Sequence, residues 1–594
     1  MRKILVSAVV VLAVVVAAAA YVLYSGRVKE SRPPLPAGAN EDLREHGKIF
    51  KKGVEKVGEG VYSAIGYGIS NSIMIEGVDG VIIVDAMTTK AEAREVLAEF
   101  RKITPKPVKA IIYTHSHPDH IFGAEIFAEG GNPEIYAHDT LEYFVRRLAN
   151  ETRQIIGSRS LRMYGNFLPP EQVLNVGIGP LVGMKPGSEL GFLRPTRVFS
   201  DTLETEIAGI KFQLAHAPGE TDDQIFAWLP DKKTLLCGDN FYWAFPNLYT
   251  IRGTTFRDLK NWYASLDKMR DLHAEFLVPS HSRPIIGAER IEKILTDYRD
   301  AIQYVHDQSI RGMNAGLTPD QLAETMILPP HLAQAPYLQP FYGKASWSAR
   351  SMFAGNLGWF SGDSAELQPL SRMGEAKLMA RLAGGPDGLL KQARDLLAEN
   401  QFQAALELSG HILRLDPTNQ EAKDVRIKAL VALGEREQNP NARHYYLTEA
   451  LEIRDGFVSN ESSRPSPEYL KSLPLSGFLD SLAVNLDPRA AANVNQKVGL
   501  VFPDCNEAFL IHVRYGVAEM RAYSPGDLDK MELDVKVVGD SMAFKEMLVK
   551  IKNPLAVLAG FDYPQGNSVS FGLFMKLFSP PKIKIPFEPL PVSQ

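Results

Sequence analysis

The chain has 594 residues, more than one hydrophobic core usually supports, so two to four domains are expected. Apolar residues make up 45% and charged residues 23% of the chain, the ordinary composition of a globular protein. A net charge of −5 gives no indication of a nucleic-acid partner, and two cysteines exclude a disulfide framework.

A short basic start, MRK, is followed by an uncharged apolar stretch over residues 4–26. That stretch is long enough to span a bilayer, although the small residues at 17–20 are also typical of a cleaved secretory signal. We interpret residues 1–26 as a signal peptide or membrane anchor and the Pro-rich residues 27–45 as a tether. Because the positive end stays inside, both interpretations predict a periplasmic or other extracytoplasmic location.

Residues 46–330 alternate between strand-like and helix-like patterns, which predicts a layered α/β domain. SNSIMIEG and GVIIVDA are expected to pair as strands, and TTKAEAREVLAEFRK has the periodicity of a helix. VKAIIY is a further strand, and IFGAEIFAE after it is expected to be helical. Three more strands are predicted in IKFQLAHAPGE, DQIFAWLP and KKTLLCGD, and another in AEFLVPSHS.

The rest of the chain divides into a helical region and a mixed region. Residues 331–457 begin with an aromatic-rich stretch and continue as helices, one pair of which resembles a tetratricopeptide-type unit. Residues 458–474 are polar and Pro-rich and are interpreted as a linker. Residues 475–594 combine amphipathic helices with strands such as AFLIHVRYG, which indicates an α+β domain.

The strand VKAIIY leads directly into THSHPDH, a run that concentrates metal-binding residue types. Its candidate ligands are His115, His117, Asp119 and His120. In a short loop after a strand, neighbouring side chains diverge, so they can face two different ions. Imidazole and carboxylate together suit zinc or a similar divalent ion, and the motif therefore predicts a metal centre.

This pattern resembles the metallo-β-lactamase superfamily, whose fold is an αββα sandwich with a binuclear metal site at its strand ends. The resemblance implies further ligands after later strands. Glu220, in HAPGETDD, stands where the superfamily commonly has a histidine. Asp239 in LLCGDN fits the bridging acid, and His281 in LVPSHSRP fits the last histidine.

The spacing from Glu220 to Asp239 narrows the resemblance to the linear alkylsulfatases, the zinc-dependent type III sulfatases. Asn247 and Arg252, in FPNLYTIRG, match the stretch of that family that holds the sulfate. Asp239 departs from the glutamate of the family, but both acids are hard oxygen ligands. An ion pair between Arg252 and Asp258 is the alternative interpretation of the arginine.

The alkylsulfatase resemblance also implies a domain arrangement. It assigns residues 46–330 to a metallo-β-lactamase-like catalytic domain and residues 331–457 to a helical dimerisation domain. Residues 475–594 would form a C-terminal domain like sterol carrier protein 2. A homodimer is therefore expected.

The resemblance further implies two zinc ions per chain, or another divalent metal, that supply hydroxide to attack an amphiphilic alkyl sulfate ester. Asp239 would bridge two ligand sets, which are His115, His117 and Glu220 for one ion and Asp119, His120 and His281 for the other. Arg252 would bind the sulfate through its planar guanidinium, and Asn247 would donate a further hydrogen bond.

The roles of several residues near the motif stay open at this point. Asp85 ends the strand VIIVD and either orients a ligand histidine or caps the following helix. His216 is either an alternative ligand or a supporting residue. Asp222 and Asp223 form either a solvated turn or a support for the ligands.

Two rival functions are also compatible with the chain. A hydrolase of the same fold could act on another ester, such as a phosphodiester or a lactone. A membrane-tethered scaffold without catalysis could hold a structural metal, although the complete set of seven ligand positions argues against it.

Overall fold

The computed structural model describes residues 34–184, 187–460, 467–581, 583 and 587. The expected signal peptide or anchor lies outside these residues and stays a prediction, as does the extracytoplasmic location. No helix in the described part of the chain is long and apolar enough to cross a membrane. The later part of the predicted tether is folded, because it contains helix α1 (Glu41–Gly47), whose Leu43 is fully buried.

A seven-stranded sheet in simple chain order forms the first layer of the α/β domain. Its strands are β1 (Gly53–Gly58), β2 (Val61–Ile65), β3 (Ser72–Glu76), β4 (Val81–Val84), β5 (Val108–Ile112), β6 (Glu134–His138) and β7 (Arg197–Phe199). The predicted pair β3–β4 is antiparallel, and β4 to β7 run parallel. The parallel strands bring the ends of β4 and β5 to one edge of the sheet.

A six-stranded sheet, in the order β13-β12-β11-β10-β9-β8, forms the second layer. Its strands are β8 (Thr202–Ile207), β9 (Ile210–His216), β10 (Ile225–Leu229), β11 (Thr234–Gly238), β12 (Phe276–Pro279) and β13 (Ile285–Ile286). The four strands predicted from the sequence are β9 to β12. Because β11 and β12 are parallel, their carboxyl ends also lie together.

The two sheets face each other across an aliphatic core to which both contribute, including Ile82, Ile112, Leu236 and Val278. Helices cover the two outer faces, so the expected αββα sandwich is confirmed. The helices of this region are α2 (Lys90–Ile103), α3 (Pro118–Ile121), α4 (Ala124–Ala128), α5 (Leu141–Asn150), α6 (Arg153–Met163), α7 (Pro170–Val173), α8 (Leu259–Arg270) and α9 (Ala288–Asn314). The predicted helix IFGAEIFAE is split into α3 and α4.

The next region is helical, as predicted. Its helices are α10 (Pro319–Thr325), α11 (Pro330–Ala333), α12 (Ala345–Leu357), α13 (Arg372–Leu382), α14 (Pro386–Ala398), α15 (Phe402–Leu415), α16 (Gln420–Arg436) and α17 (Pro440–Asp455). Helices α14 to α17 pack in sequence around small buried residues such as Ala393, Ala405 and Ala429. Alanine at these positions lets neighbouring helices approach closely.

The predicted linker at 458–474 contains α18 (Pro467–Ser472), and its Leu470 and Leu473 are buried beside Phe478. This half of the stretch is therefore packed rather than extended. The buried ammonium of Lys545 donates hydrogen bonds to the carbonyl groups of Leu470 and Leu473, at 3.1 and 2.6 Å. These bonds fix the linker helix to the C-terminal domain.

The C-terminal domain is α+β, as predicted. Its five-stranded sheet has the order β16-β15-β14-β17-β18 and consists of β14 (Asn495–Phe502), β15 (Glu507–Arg514), β16 (Val517–Tyr523), β17 (Val535–Val538) and β18 (Asp562–Gln565). The helices are α19 (Leu475–Val484), α20 (Pro525–Leu528), α21 (Ser541–Leu548), α22 (Pro554–Ala559) and α23 (Ser568–Met575). They bury aromatic residues such as Phe502, Phe544 and Phe571 against the sheet.

Candidate metal centre

The seven residues predicted as ligands come together at one end of the sandwich. The THSHPDH loop follows β5, and Pro118 begins the short helix α3 that carries Asp119 and His120. Glu220 lies in the turn after β9, Asp239 directly follows β11, and His281 follows β12. Strand ends from both sheets therefore supply the candidate ligands.

Three groups of three residues each place one nitrogen or oxygen atom per residue within 4.8 Å of one another. The groups are His115, His120 and Asp239; Asp119, His120 and His281; and His117, Glu220 and Asp239. The second group is one of the ligand sets expected from the sequence. Asp239 belongs to two groups, a position that suits a bridging acid.

The distances within the cluster show how closely the polar atoms converge. Oδ2 of Asp239 lies 3.2 Å from Nε2 of His281 and 3.5 Å from Nε2 of His120. Nε2 of His115 is 3.6 Å from the same oxygen. Oδ2 of Asp119 lies 3.2 Å from Nε2 of His120, so each carboxylate faces more than one imidazole.

Burial and neighbouring charges prepare these side chains to bind a cation. Burial, reinforced by nearby positive charge, lowers the pKa of His115 and His117 well below the usual histidine value, so both imidazoles are neutral. Burial alone would raise the pKa of Asp119, but His120 and His281 outweigh it and lower that pKa to about 2. Burial would lower the pKa of His120 and His281, but the neighbouring carboxylates outweigh it and raise the pKa of both. Neutral His115 and His117 and ionised Asp119 are in the forms that bind metals.

The donor set fits a divalent metal centre. Four buried atoms of the cluster have no hydrogen-bond partner among the described residues: Nε2 of His120, Nε2 of His281, Oε2 of Glu220 and Oδ1 of Asp239. Buried polar atoms are normally paired, and such a group of free atoms is explained by ions that they would hold. Mixed imidazole and carboxylate ligands suit zinc or a similar metal.

Asp85 supports the cluster from beneath, which resolves one of the open alternatives. Its Oδ2 lies 2.8 Å from Nδ1 of His120 and accepts a hydrogen bond from Ser280 at 2.6 Å. Its Oδ1 accepts from the backbone N–H of Thr114 at 2.9 Å. Thr89, not Asp85, caps helix α2. Asp85 is therefore an orienting residue, which fixes the ring of a ligand histidine.

His216 lies outside the cluster. Its ring stacks on His138 with 4.1 Å between centroids, and its Nε2 lies 2.7 Å from the carbonyl oxygen of Asp222. Asp223 is fully buried and accepts a hydrogen bond from Ser116, within the THSHPDH loop, at 3.1 Å. Asp223 thus supports the loop, whereas His216 is not brought to the other candidate ligands.

Both residues predicted to bind sulfate lie at the edge of the cluster. Nη2 of Arg252 is 3.2 Å from Nε2 of His117, and Asp258 instead caps helix α8. Among the described residues Arg252 forms no ion pair with a carboxylate. Asn247 is buried, and both polar atoms of its side chain lack a hydrogen-bond partner in the described part of the chain.

The sequence reasoning missed Arg257, which is buried beside Glu220. Its Nη1 lies 3.1 Å from Oε1 of Glu220, and both side chains are only 2% exposed. Two tyrosines were also missed, Tyr164 and Tyr342, whose hydroxyl oxygens are 3.0 Å apart next to Arg252. A second arginine shortly after the NLYTIRG stretch was the available signal for Arg257.

Three family models match successive parts of the chain. They are the metallo-beta-lactamase superfamily over residues 65–281, alkyl sulfatase dimerisation over residues 318–456, and alkyl sulfatase C-terminal over residues 463–583. The fold and the cluster therefore define a hydrolase of the metallo-β-lactamase superfamily.

Similar proteins identify the family within this superfamily. A linear primary-alkylsulfatase of Pseudomonas sp. (strain ATCC 19151) is 40% identical over 500 residues, which are 80% of this chain and 94% of the relative. An (R)-specific secondary-alkylsulfatase of Pseudomonas sp. is 28% identical, covering 88% of this chain and 80% of the relative. The solved structure of the stereoselective inverting sec-alkylsulfatase Pisa1 from Pseudomonas sp. superposes with a TM-score of 0.84 at 25% identity, covering 92% and 87% of the two chains. The chain belongs to the alkylsulfatase family.

Replacing Asp85 with asparagine is expected to weaken metal binding about 10- to 100-fold. The amide has one acceptor oxygen, so it cannot serve His120, Ser280 and Thr114 as the carboxylate does. The dissociation constant for zinc, measured by competition with a chromophoric chelator, checks this. Asp79→Asn, at an exposed ion pair with Lys109, is the matched control. Unchanged affinity in folded Asp85→Asn protein would contradict the orienting role.

Proposed function

We propose that this protein hydrolyses sulfate esters of alkyl alcohols at a centre that holds two divalent metal ions, with zinc as the preferred metal. The observation that carries the proposal is the position of Arg252, whose guanidinium lies beside His117 at the edge of the candidate ligands. A planar guanidinium matches two oxygens of a sulfate group. Three relatives that each match at least 80% of the chain are alkylsulfatases, which supports the same chemistry.

In this proposal, some residues of the chain bind the metal ions and others bind the sulfate group. When bound, two divalent ions supply hydroxide at neutral pH, because they lower the pKa of coordinated water from about 15.7 towards about 7. Asp119, Glu220 and Asp239 provide the negative charge that retains the ions. Arg252 and Asn247 would bind the sulfate oxygens and hold the ester against the centre.

The proposal predicts that the purified, zinc-loaded protein releases inorganic sulfate from dodecyl sulfate. A chelator and the Asp119→Ala substitution should each reduce release at least about 100-fold, because both remove the ions that supply the nucleophile. Ion chromatography of sulfate measures the reaction. Asp529→Ala, at an exposed ion pair in the C-terminal domain, should release sulfate as the unmodified protein does.

A folded protein that carries two metal equivalents but releases no sulfate would refute the alkyl sulfate assignment. Phosphodiesters and lactones would then be assayed with the same preparations, since they are the alternatives for this fold.

A large cavity supports an amphiphilic substrate. It has a volume of about 1300 Å³ and lies between helix α6 and the C-terminal helices α19, α22 and α23. Its lining is mainly apolar, with Leu555, Val569 and Leu573 on the C-terminal side. Arg159, also in the lining, lies beside the loop of Arg252, since a Cβ atom on Gly253 would be 3.9 Å from Nη1 of Arg159. The cavity therefore starts near the sulfate-binding loop and suits an alkyl tail.

Charges placed in this lining should weaken the binding of long alkyl chains selectively. Val569 and Leu573 are 69% and 59% exposed, so a Val569→Asp, Leu573→Asp double variant should fold. We expect the KM for dodecyl sulfate to rise about tenfold and that for hexyl sulfate to change little, because each buried methylene contributes about 0.8 kcal/mol. Val517→Asp, on an exposed strand position outside the cavity, is the control. Equal changes in KM for the two esters would contradict a tail site here.

We further propose a homodimer that uses the exposed apolar surface of residues 357–382. The dimerisation family model covers this stretch. Its large exposed side chains include Leu357, Trp359, Leu370 and Leu382, between 57% and 72% exposed. Several large exposed apolar side chains within one short segment favour a protein–protein contact there.

The Trp359→Glu, Leu370→Glu double variant is expected to be a monomer near the chain mass of 65.7 kDa, whereas the unmodified protein should have twice that mass. Two carboxylates in an apolar interface would lose their hydration without gaining partners. Light scattering after size exclusion gives the mass. Ile286→Glu, at an exposed position outside the matched region, should leave the dimer intact. A dimer of unchanged stability in the double variant would exclude this surface as the interface.

A further inference from the structure

Arg257 is a buried cation at the centre that the roles described so far do not use. Its guanidinium is 3% exposed and contacts Glu220 through Nη1, at 3.1 Å from Oε1. The same Nη1 atom donates a hydrogen bond to the backbone carbonyl oxygen of Asn247. One guanidinium thus joins a candidate metal ligand to a candidate substrate-binding residue.

The two carboxylate oxygens of Glu220 have different environments. Oε1 faces Arg257, whereas Oε2 is buried and has no hydrogen-bond partner among the described residues. Glu220 also places an oxygen within 4.8 Å of ligand atoms of His117 and Asp239. This arrangement suits a carboxylate that is held through Oε1 and has Oε2 free to bind an ion.

The chemistry of this position explains why a cation is needed. Glu220 stands where the superfamily commonly has a histidine, which binds metal as a neutral ring. A carboxylate in the same buried turn adds a negative charge, so three carboxylates would meet at the proposed centre. Buried charges are retained where they are paired, and Arg257 is the cation that touches Glu220.

We propose that Arg257 is a positioning residue for one of the two metal sites. It neutralises the charge that the glutamate adds, holds Oε1 so that Oε2 can bind the ion, and fixes Asn247 relative to that ion. The inference rests on the proposed binuclear centre. It assigns Arg257 to metal binding and not to the sulfate group, which Arg252 and Asn247 would contact.

The test compares the metal content and zinc affinity of full-length variants, measured by elemental analysis after dialysis and by chelator competition. Arg257→Met should retain one of two zinc equivalents, with the affinity of the weaker site reduced about 10- to 100-fold. Arg257→Lys should recover part of that affinity, because its ammonium restores the positive charge beside Glu220 but lacks the rigid, planar geometry that places Nη1 between Glu220 and Asn247. Arg162→Met, which breaks another largely buried ion pair, with Glu452 at 2.8 Å, should keep two zinc equivalents.

A second pair of variants separates positioning from general structural support. In Glu220→His the neutral ligand leaves Arg257 unpaired beside the metal, so zinc binding should weaken. In the Glu220→His, Arg257→Met double variant the surplus cation is gone, and zinc affinity should exceed that of Arg257→Met alone. If the losses of zinc affinity in the two single variants simply add in the double variant, the proposed coupling between Arg257 and Glu220 is wrong.

The outcomes also distinguish this inference from the proposed function. If the unmodified protein binds no metal and releases no sulfate, the proposed function fails. If the unmodified protein binds two zinc ions and releases sulfate, but Arg257→Met keeps two zinc equivalents at unchanged affinity and shows only a higher KM, the positioning role is wrong. Arg257 would in that case contact the substrate.

Discussion

The concentration of negative charge at one end of the sandwich is the constraint that organises this protein. Asp119, Glu220 and Asp239 converge there, and the last two are almost completely withdrawn from water. Carboxylates lose hydration when they are buried, so they persist only beside cations or strong donors. Arg257 meets this requirement for Glu220, and the imidazoles, or the ions that they would hold, meet it for the other two.

The sandwich satisfies this constraint by joining strand ends from two sheets. Asp85 lies after β4, accepts hydrogen bonds from Thr114 after β5, and accepts another from Ser280 after β12. One fully buried carboxylate therefore ties both layers together beneath His120. The aliphatic core between the sheets is closely packed, so the strand ends that carry the candidate ligands are held in place relative to one another.

The domains beyond the sandwich contribute the apolar surface that the proposed amphiphilic substrate would need. The charged centre lies within the first domain, whereas the large apolar cavity lies between helix α6 and the C-terminal domain. Helix α6 contributes Arg159 to the cavity and lies against the loop of Arg252. The sulfate head of an ester would thus contact the charged centre, and its alkyl tail would contact the apolar cavity.

Much of the fold and the candidate centre could be predicted from local patterns. The four candidate ligands of THSHPDH are neighbours in sequence. A short loop after a strand therefore brings them together without help from the rest of the fold. Short apolar runs bounded by turn residues predicted β3 to β5 and β9 to β12, because such runs are typical of buried strands. Glu220, Asp239 and His281 could be found only by resemblance, since they are distant from the motif along the chain.

The sequence by itself determined the element types, the candidate ligand residues and the family resemblance, because these depend on local patterns and short motifs. Only the tertiary structure decided between the two roles of Asp85, because helix capping and histidine orientation require the same residue at the same strand end. Only the tertiary structure shows that Arg257 pairs with Glu220 and that His216 lies outside the cluster, stacked on His138. Such contacts join strand ends and loops that are far apart in sequence, and packing of the two sheets sets their distances.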